Sequence, residues 1–318
     1  TVGIGHTRWA THGAPSDVNS HPQVSQSGKI AVVHNGIIEN YVELKSFLMG
    51  KGVSFLSDTD TEVVAQLIEY FYQGDLLKAV GQVLHRIQGA YALGILCADY
   101  PDQIIAVRKD SPLILGYGHG CNFLASDVTA IIKHTRRVGY MEDGELAVLT
   151  REGIQCYDRL LEPVDKEISY VDWEIDAAEK GGYEHFMFKE IMEQPQALRR
   201  AILPRIREGE VCFEDFGLSQ DYVQAMSKVY IVACGSSYHV GMVGKYVLER
   251  LTRRPVEVAL ASEFRYMDPI VDGSTLVVVI SQSGETLDTM AALREAKRLG
   301  AKVLSIVNVV GSSIARES

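Results

Sequence analysis

Two groups of residues in this sequence have the types and spacing for chemistry. The first is "GHTRWATHGAPSDVNSHP", residues 5–22, where His6, His12 and His21 share a Gly- and Pro-punctuated stretch with Arg8 and Trp9. His34 follows in "HNG". Four histidines raise the question of a metal. Their spacing fits no helical or zinc-finger pattern and no cysteine joins them, so no metal site is expected. Thr1 raises a second question, because a threonine that stands first can act as a nucleophile. Taken singly, Arg8 reads as a surface arginine and Trp9 as a core tryptophan. Asn35-Gly36 reads as a hairpin signal, since both residues tolerate positive φ. Asp60 reads as an acid at a helix start, where the dipole favours it.

The second group is a pair of hydroxyl-rich loops. "CGSSY" (234–238) follows the apolar run "KVYIVA", and "SQSGET" (281–286) follows "STLVVVI". Ser236 and Ser237 in one loop, and Ser281, Ser283 and Thr286 around Gln282 in the other, each open a helix. Free N–H groups and the positive dipole end therefore meet hydroxyls, an environment suited to a phosphate monoester or a polyol. Neither loop carries G-x-x-x-x-G-K-[ST] or G-x-G-x-x-G, which disfavours a nucleoside triphosphate and a dinucleotide. One such loop would read as helix capping. Two, after successive strands, favour a ligand.

The elements that must position these residues change along the chain. "DTDTEVVAQLIEYFYQG" predicts a helix, with Thr59 at the N-cap and Glu62 at N3 of a capping box. Val63, Leu67, Ile68 and Phe71 form its apolar stripe and Gly74 its stop. "KIAVVHNGIIEN" predicts a strand, a turn and more extended chain. Short apolar runs up to "GELAVLTREGIQCYD" predict strands paired locally and antiparallel. Residues 160–200 are charged, aromatic and weakly periodic, as expected of a linker leading into a helix. The last third alternates strand and helix: three strands, and two helices, the first with Val240, Val243, Val247, Leu248 and Leu251 on one face. That alternation predicts a parallel α/β sheet, with ligands at the carboxyl ends of its strands.

Bulk properties narrow the classes. The chain has 318 residues, a length for two domains. A formal net charge of −10 argues against nucleic acid or an anionic membrane as partner. The five cysteines (97, 121, 156, 212 and 234) are far apart and never spaced C-x-x-C, which predicts neither disulfides nor zinc and fits a reducing, cytoplasmic compartment. No apolar run has the length of a membrane span, and no signal peptide is expected.

"SQSGET" with "CGSSY" resembles a sugar isomerase (SIS) domain, and "ASEFRY" (261–266) and "NVVGSS" (308–313) sharpen the likeness. With "HTRWATHG", "HNGIIEN" and "SDTDTE" in the first half, the whole chain, in order, is similar to the glutamine–fructose-6-phosphate aminotransferase family. The resemblance implies an α/β protein of two domains. An N-terminal nucleophile (Ntn) hydrolase-type αββα glutaminase domain, 1–172, truncated at its N-terminus, would pass through a linker and entry helix, 173–205, into the first module of a parallel α/β SIS domain, 206–318, itself incomplete.

The resemblance also implies roles. Arg8 would hold the glutamine α-carboxylate, a bidentate task that explains arginine and not lysine. Asp60 would hold the α-ammonium, Trp9 would sit in a closing loop, and Thr11 and His12 would line the same site. The Asn35 side chain and the Gly36 N–H would form an oxyanion hole. Cys234, Gly235, Ser236, Ser237, Ser281, Gln282, Ser283 and Thr286 would bind the sugar phosphate. The products would be glucosamine 6-phosphate and glutamate, the first step towards UDP-N-acetylglucosamine, with ammonia passing between the domains.

The family's nucleophilic cysteine lies several dozen residues before "HTRWATHG". Its isomerase glutamate, histidine and Schiff-base lysine lie beyond position 318. The sequence as given is thus expected to be an internal fragment, inactive alone, with Thr1 at a mid-domain position and no nucleophile. No cofactor is implied, and the full-length enzyme would be a homodimer. Two rivals fit less well. Another glutamine amidotransferase would lack the SIS loops, and a phosphosugar-sensing SIS module would lack "RWATHG" and "HNG".

Overall fold

The structure, a computed structural model, describes residues 2–8, 11–171, 181–212, 217–309 and 312–318. The chain divides into two compact units, Thr1–Gly181 and Gly182–Ser318.

Among the described residues of the first unit, eleven strands and three helices run β1 Gln23–Val24, β2 Ile30–Ile38, α1 Tyr41–Met49, α2 Asp60–Phe71, α3 Leu76–Leu84, β3 Gly89–Cys97, β4 Tyr100–Lys109, β5 Ile114–Tyr117, β6 Asn122–Ala125, β7 Arg137–Tyr140, β8 Leu146–Leu149, β9 Ile154–Tyr157, β10 Pro163–Val164 and β11 Ser169–Tyr170. They form two sheets, ordered β1-β2-β3-β4-β8-β9-β10 and β11-β7-β5-β6. All their pairings are antiparallel, as local pairing of short strands requires.

The period-two rule sorts the large sheet into two faces. Ile30, Val32, Tyr91, Leu93, Ile95, Ile105 and Val107 face the helices, where Val63, Leu67 and Ile68 of α2 are fully buried with them. Burying each such side chain stabilises by about 2 kcal/mol. The opposite face is built from small residues, Ala92, Gly94, Ala106 and Ala147, and packs on Leu113, Leu115 and Met141 of the second sheet or its flanks. That sheet's far side is covered by Val128, Ile131 and Ile132, which include a 3-10 turn at Val128–Ala130. Helices, sheet, sheet and a short outer cover are thus layered in the expected order.

Helix α2 begins as the sequence predicts. Thr59 is the N-cap and its hydroxyl accepts the Glu62 N–H at 3.3 Å. The second half of the box is displaced: the Glu62 carboxylate reaches past Thr59 to the N–H groups of Leu56 and Ser57, at 2.9 and 2.6 Å. The helix ends at Phe71, before Gly74, which instead makes the turn (φ 92°) into the Asp75 cap of α3.

The turn expected at Asn35-Gly36 is absent. Strand β2 runs unbroken through both residues and pairs with β3 from Ile30↔Cys97 to Ile38↔Gly89. Gly36 has φ 128°, and a Cβ there would overlap the Ala90 carbonyl oxygen. The glycine permits close approach of two strands and reverses nothing.

In the second unit the order is α4 Phe186–Ile202, β12 Ile206–Arg207, β13 Glu210–Val211, α5 Gln220–Ala225, β14 Lys228–Ala233, α6 Gly235–Thr252, β15 Val256–Leu260, α7 Ala261–Phe264, β16 Thr275–Ser281, α8 Leu287–Arg298, β17 Lys302–Val307 and α9 Ser313–Glu317. The sheet β15-β14-β16-β17 is parallel throughout. It contains one strand more than the three expected. In "VEVAL", β15, the exposed Glu257 interrupts the apolar run that marks a buried strand. The apolar stripe of α6 also differs. Leu248 packs against the sheet as expected, but Val240, Val243, Val247 and Leu251 are at least half exposed, and the helix approaches the sheet at Gly241, whose Cβ would stand 2.9 Å from Ile231 Cγ2.

Candidate functional site

In the first unit the "GHTRWATHG" loop is tied to the start of α2. Arg8 is half-buried in the left-handed region, φ 53°. Its Nη2 donates to the carbonyls of His12 and Gly13 at 2.7 and 3.0 Å. Asn19 completes the tie: Nδ2 donates to Ala14 O at 2.9 Å, and Oδ1 accepts the Asp58 N–H at 2.9 Å. The buried Asp60 carboxylate stands at the first position of α2, where the helix dipole favours it. Its Oδ2 accepts the Ile38 N–H at 2.8 Å, and its Oδ1 lies 3.8 Å from His12 Nδ1. Thr11 is exposed, its hydroxyl 3.3 Å from His12 Nδ1. One loop thus presents a guanidinium and a neighbouring helix start a carboxylate, with His12 touching both. Trp9 lies outside the described residues.

Sequence reading did not bring the other histidines together; their mutual approach depends on partners 27 and 40 residues apart. His34 Nδ1 and His21 Nε2 converge on the Thr61 hydroxyl at 2.9 and 3.1 Å. His6 lies against His21, ring centroids 4.7 Å apart, and lines the same cavity as Asn35. Its Nδ1 accepts the Arg8 N–H at 2.9 Å, which places the proton of the neutral ring on Nε2. Burial pushes all three rings below the usual imidazole pKa. His21, with His6, His34 and Arg8 adding positive charge nearby, falls to about 4. His34 is lowered by burial against the pull of Asp60, and His6 by burial against the opposing influence of the Asn35 side chain. Among the described residues, no group of three or more His, Cys, Asp or Glu is arranged to hold a metal ion.

These shifts give a pH dependence. The unfolded chain takes up protons near pH 6.5, whereas folded His21 resists them until about pH 4. The stabilisation is therefore complete above pH 6.5 and is lost as the pH falls towards 4. His21 is only partly buried, so solvent screening discounts the shift, and the loss it accounts for is about 1–2 kcal/mol. Calorimetric melting between pH 7.5 and 4 should show the decline, and His21→Gln should flatten it. An unflattened profile would rule the histidine out as its source.

A cavity of about 240 Å³ opens beside Asn35, with His6, Ala92, Gly94, Phe123 and Leu124 among its walls. Asn35 lines this space and is half-exposed, as is Gly36, the next residue of β2.

In the second unit, β14 and β16 are adjacent, with Ala233 opposite Ile280. The chain leaves β14 for β15 on one side and β16 for β17 on the other. The carboxyl ends of β14 and β16 therefore flank the topological switch point, the crevice where open α/β sheets bind ligands. Both hydroxyl loops lie there. Cys234 is the N-cap of α6, its Sγ 3.8 Å from Thr289 Oγ1 of α8. Gly235 (φ 55°) starts the helix, and Ser236 and Ser237 follow in its first turn, the former exposed. In the other loop the buried Ser281 hydroxyl accepts the Gly284 N–H at 3.0 Å and lies 3.2 Å from Thr286 Oγ1. Ser283 Oγ accepts the Glu285 N–H at 3.1 Å, while Gln282 is exposed. Ser281 and Ser283 thus shape the loop, which leaves amides and the remaining hydroxyls open to an anion.

The architecture joins a layered amidotransferase-type unit to a parallel α/β unit of the sugar-isomerase type. A glutamine amidotransferase domain model matches residues 6–133, and a SIS domain model matches 222–318. The chain is 55% identical over its full length to a glutamine–fructose-6-phosphate aminotransferase (isomerizing) of Caldanaerobacter subterraneus subsp. tengcongensis, and 54% identical over 99% of its length to one of Clostridium acetobutylicum. In both comparisons it covers 52% of the relative. Among solved structures, the C-terminal domain of the glucosamine-fructose-6-phosphate aminotransferase from Francisella tularensis is 42% identical over 44% of this chain and 39% of its own, with a TM-score of 0.41. The chain thus carries a glutamine amidotransferase domain and a SIS domain, is similar along its whole length to glutamine–fructose-6-phosphate aminotransferases, and spans about half the length of the curated relatives it matches.

Proposed function

We propose that the protein to which these residues belong transfers the amide nitrogen of L-glutamine to D-fructose 6-phosphate, giving D-glucosamine 6-phosphate and L-glutamate. The observation that carries this is the pair of hydroxyl loops side by side at the switch point of the second unit. Their amides, hydroxyls and helix N-termini suit a phosphate ester carried on a polyol. Cys234, Gly235, Ser236, Ser237, Ser281, Gln282, Ser283 and Thr286 border that crevice in our reading. In the first unit, Arg8 and Asp60 bracket a zwitterionic amino acid, Arg8 taking the carboxylate and Asp60 the ammonium, with Thr11 and His12 alongside. Trp9 enters this reading on its sequence position alone. Asn35 and Gly36 supply the donors that stabilise a tetrahedral oxyanion at the cavity edge.

The five cysteines are free, which fits a reducing cytoplasm as the compartment. No helix among the described residues is long and apolar enough to cross a membrane. A homodimer is the assembly proposed for the full-length enzyme, with the exposed apolar side chains of α6 available for burial. Calorimetric titration with fructose 6-phosphate and glucosamine 6-phosphate tests the sugar site. Binding in the range of about 10 μM to 1 mM is expected, as for ordinary enzyme substrates. No heat with either ligand, in a sample shown to be folded, would overturn the assignment.

A further inference from the structure

Glu285 is out of place by charge. It sits between Gly284 and Thr286, in the middle of a loop whose amides and hydroxyls suit an anion, and a carboxylate aimed into that crevice would repel a phosphate. The structure turns it away. Its Oε1 accepts the Ser313 N–H at 2.8 Å, at the first residue of α9. Two backbone bonds run beside this one: Ile314 N–H to Gly284 O at 3.0 Å, and Asn308 N–H to Gln282 O at 3.3 Å. Packing adds to them. Gly284 has φ 68°, and the buried Ser312 side chain occupies the place where a Cβ would stand. At its other end α9 is tied to α8, because Arg294 donates from Nε and Nη2 to the two Glu317 carboxylate oxygens at 2.9 and 2.8 Å.

We propose that Glu285 is a positioning residue for phosphosugar binding: it fastens the 281–286 loop to the 308–314 segment so that the loop's amides are held ready for the phosphate. This rests on the phosphosugar reading of the crevice. The carboxylate does two things at once, keeping its own charge off the ligand and satisfying an otherwise open helix-terminal N–H. Among the described residues, three hydrogen bonds join the loop to residues 308–309 and 312–314, and of these it alone uses a side chain, so substitution can remove it and leave the backbone bonds in place. A charge-assisted bond to a backbone N–H is among the stronger hydrogen bonds, and its loss frees the loop to sample conformations that bind no phosphate.

The test compares Glu285→Ala and Glu285→Gln with the parent chain by two measurements. One is fructose 6-phosphate affinity by calorimetry. The other is amide hydrogen exchange of residues 281–286 and 312–314 without ligand. Glu285→Ala should weaken binding about tenfold and raise exchange in both segments while the melting temperature stays near the parent's. Glu285→Gln keeps an acceptor for the Ser313 N–H and should recover most of both. If both variants bind more tightly, the residue acts as a repulsive charge and the proposal fails. Unchanged affinity in Glu285→Ala also sinks it. If the parent chain binds no phosphosugar, the crevice reading fails by itself, and the exchange data still decide whether Glu285 fastens the loop.

Discussion

Gly36→Ala will lower the stability of the first unit by about 4 kcal/mol, the sum of a strained φ and an overpacked contact. Two independent costs meet at this position. The backbone has φ 128°, a region that L-residues with a Cβ avoid, and the added carbon would meet the Ala90 carbonyl oxygen and the Ser111 hydroxyl. Strands β2 and β3 are paired on both sides of the site, so neither can withdraw without breaking a ladder of nine residue pairs. Gly28→Ala is the control. Gly28 also has a positive φ, 79°, but nothing lies within 4 Å of its would-be Cβ. Only the conformational cost remains there, about 1 kcal/mol. Differential scanning calorimetry of both variants separates the contributions. Equal shifts for Gly36→Ala and Gly28→Ala would mean that the close approach of β3 is unimportant.

Asp60→Ala should cost about 2–3 kcal/mol, because it strands the buried Ile38 N–H and removes a carboxylate from a helix N-terminus. Asp60→Asn keeps an oxygen for that N–H and should cost about 1 kcal/mol. Under the proposed function both variants lose the partner for the glutamine ammonium. Glutamine-dependent protection of the 6–13 loop from exchange should therefore vanish in Asp60→Asn, even though its fold is nearly as stable as the parent's. Retained protection in Asp60→Asn would place the ammonium elsewhere. Both substitutions also take negative charge from His34, whose pKa should fall further, a shift that NMR titration of the imidazole would follow.

Local signals in the sequence were read well where a local cause exists. The Thr59 cap and the Val63, Leu67 and Ile68 stripe of α2 depend on residues within two turns of each other, and they stand as expected. The two hydroxyl loops lie where strand–helix alternation puts them. Readings failed where distant chain decides. Asn35-Gly36 has turn chemistry, yet β3, more than fifty residues later, holds it in a strand. The α6 stripe of Val240, Val243, Val247, Leu248 and Leu251 has the period of a buried face, but of these Leu248 packs on the sheet, the other four are at least half exposed, and the close approach is made at Gly241. Periodicity counts apolar side chains and cannot see that the closest packing falls where there is none. The gathering of His21 and His34 on Thr61, with His6 against His21, was invisible for the same reason, since only tertiary folding brings them together.

The small residues between the two sheets of the first unit carry an evolutionary consequence. Ala92 and Gly94 wall the cavity beside Asn35, and a Cβ on Gly94 would already stand 3.0 Å from Val33 Cγ2. Residues this small have almost nothing left to lose. Apart from Ala92→Gly, every mutation at these two positions subtracts from the space. Drift at this floor therefore runs in one direction only. A descendant could narrow the cavity by a single substitution here, whereas widening it falls to the larger side chains on its other walls, such as Phe123 and Leu124.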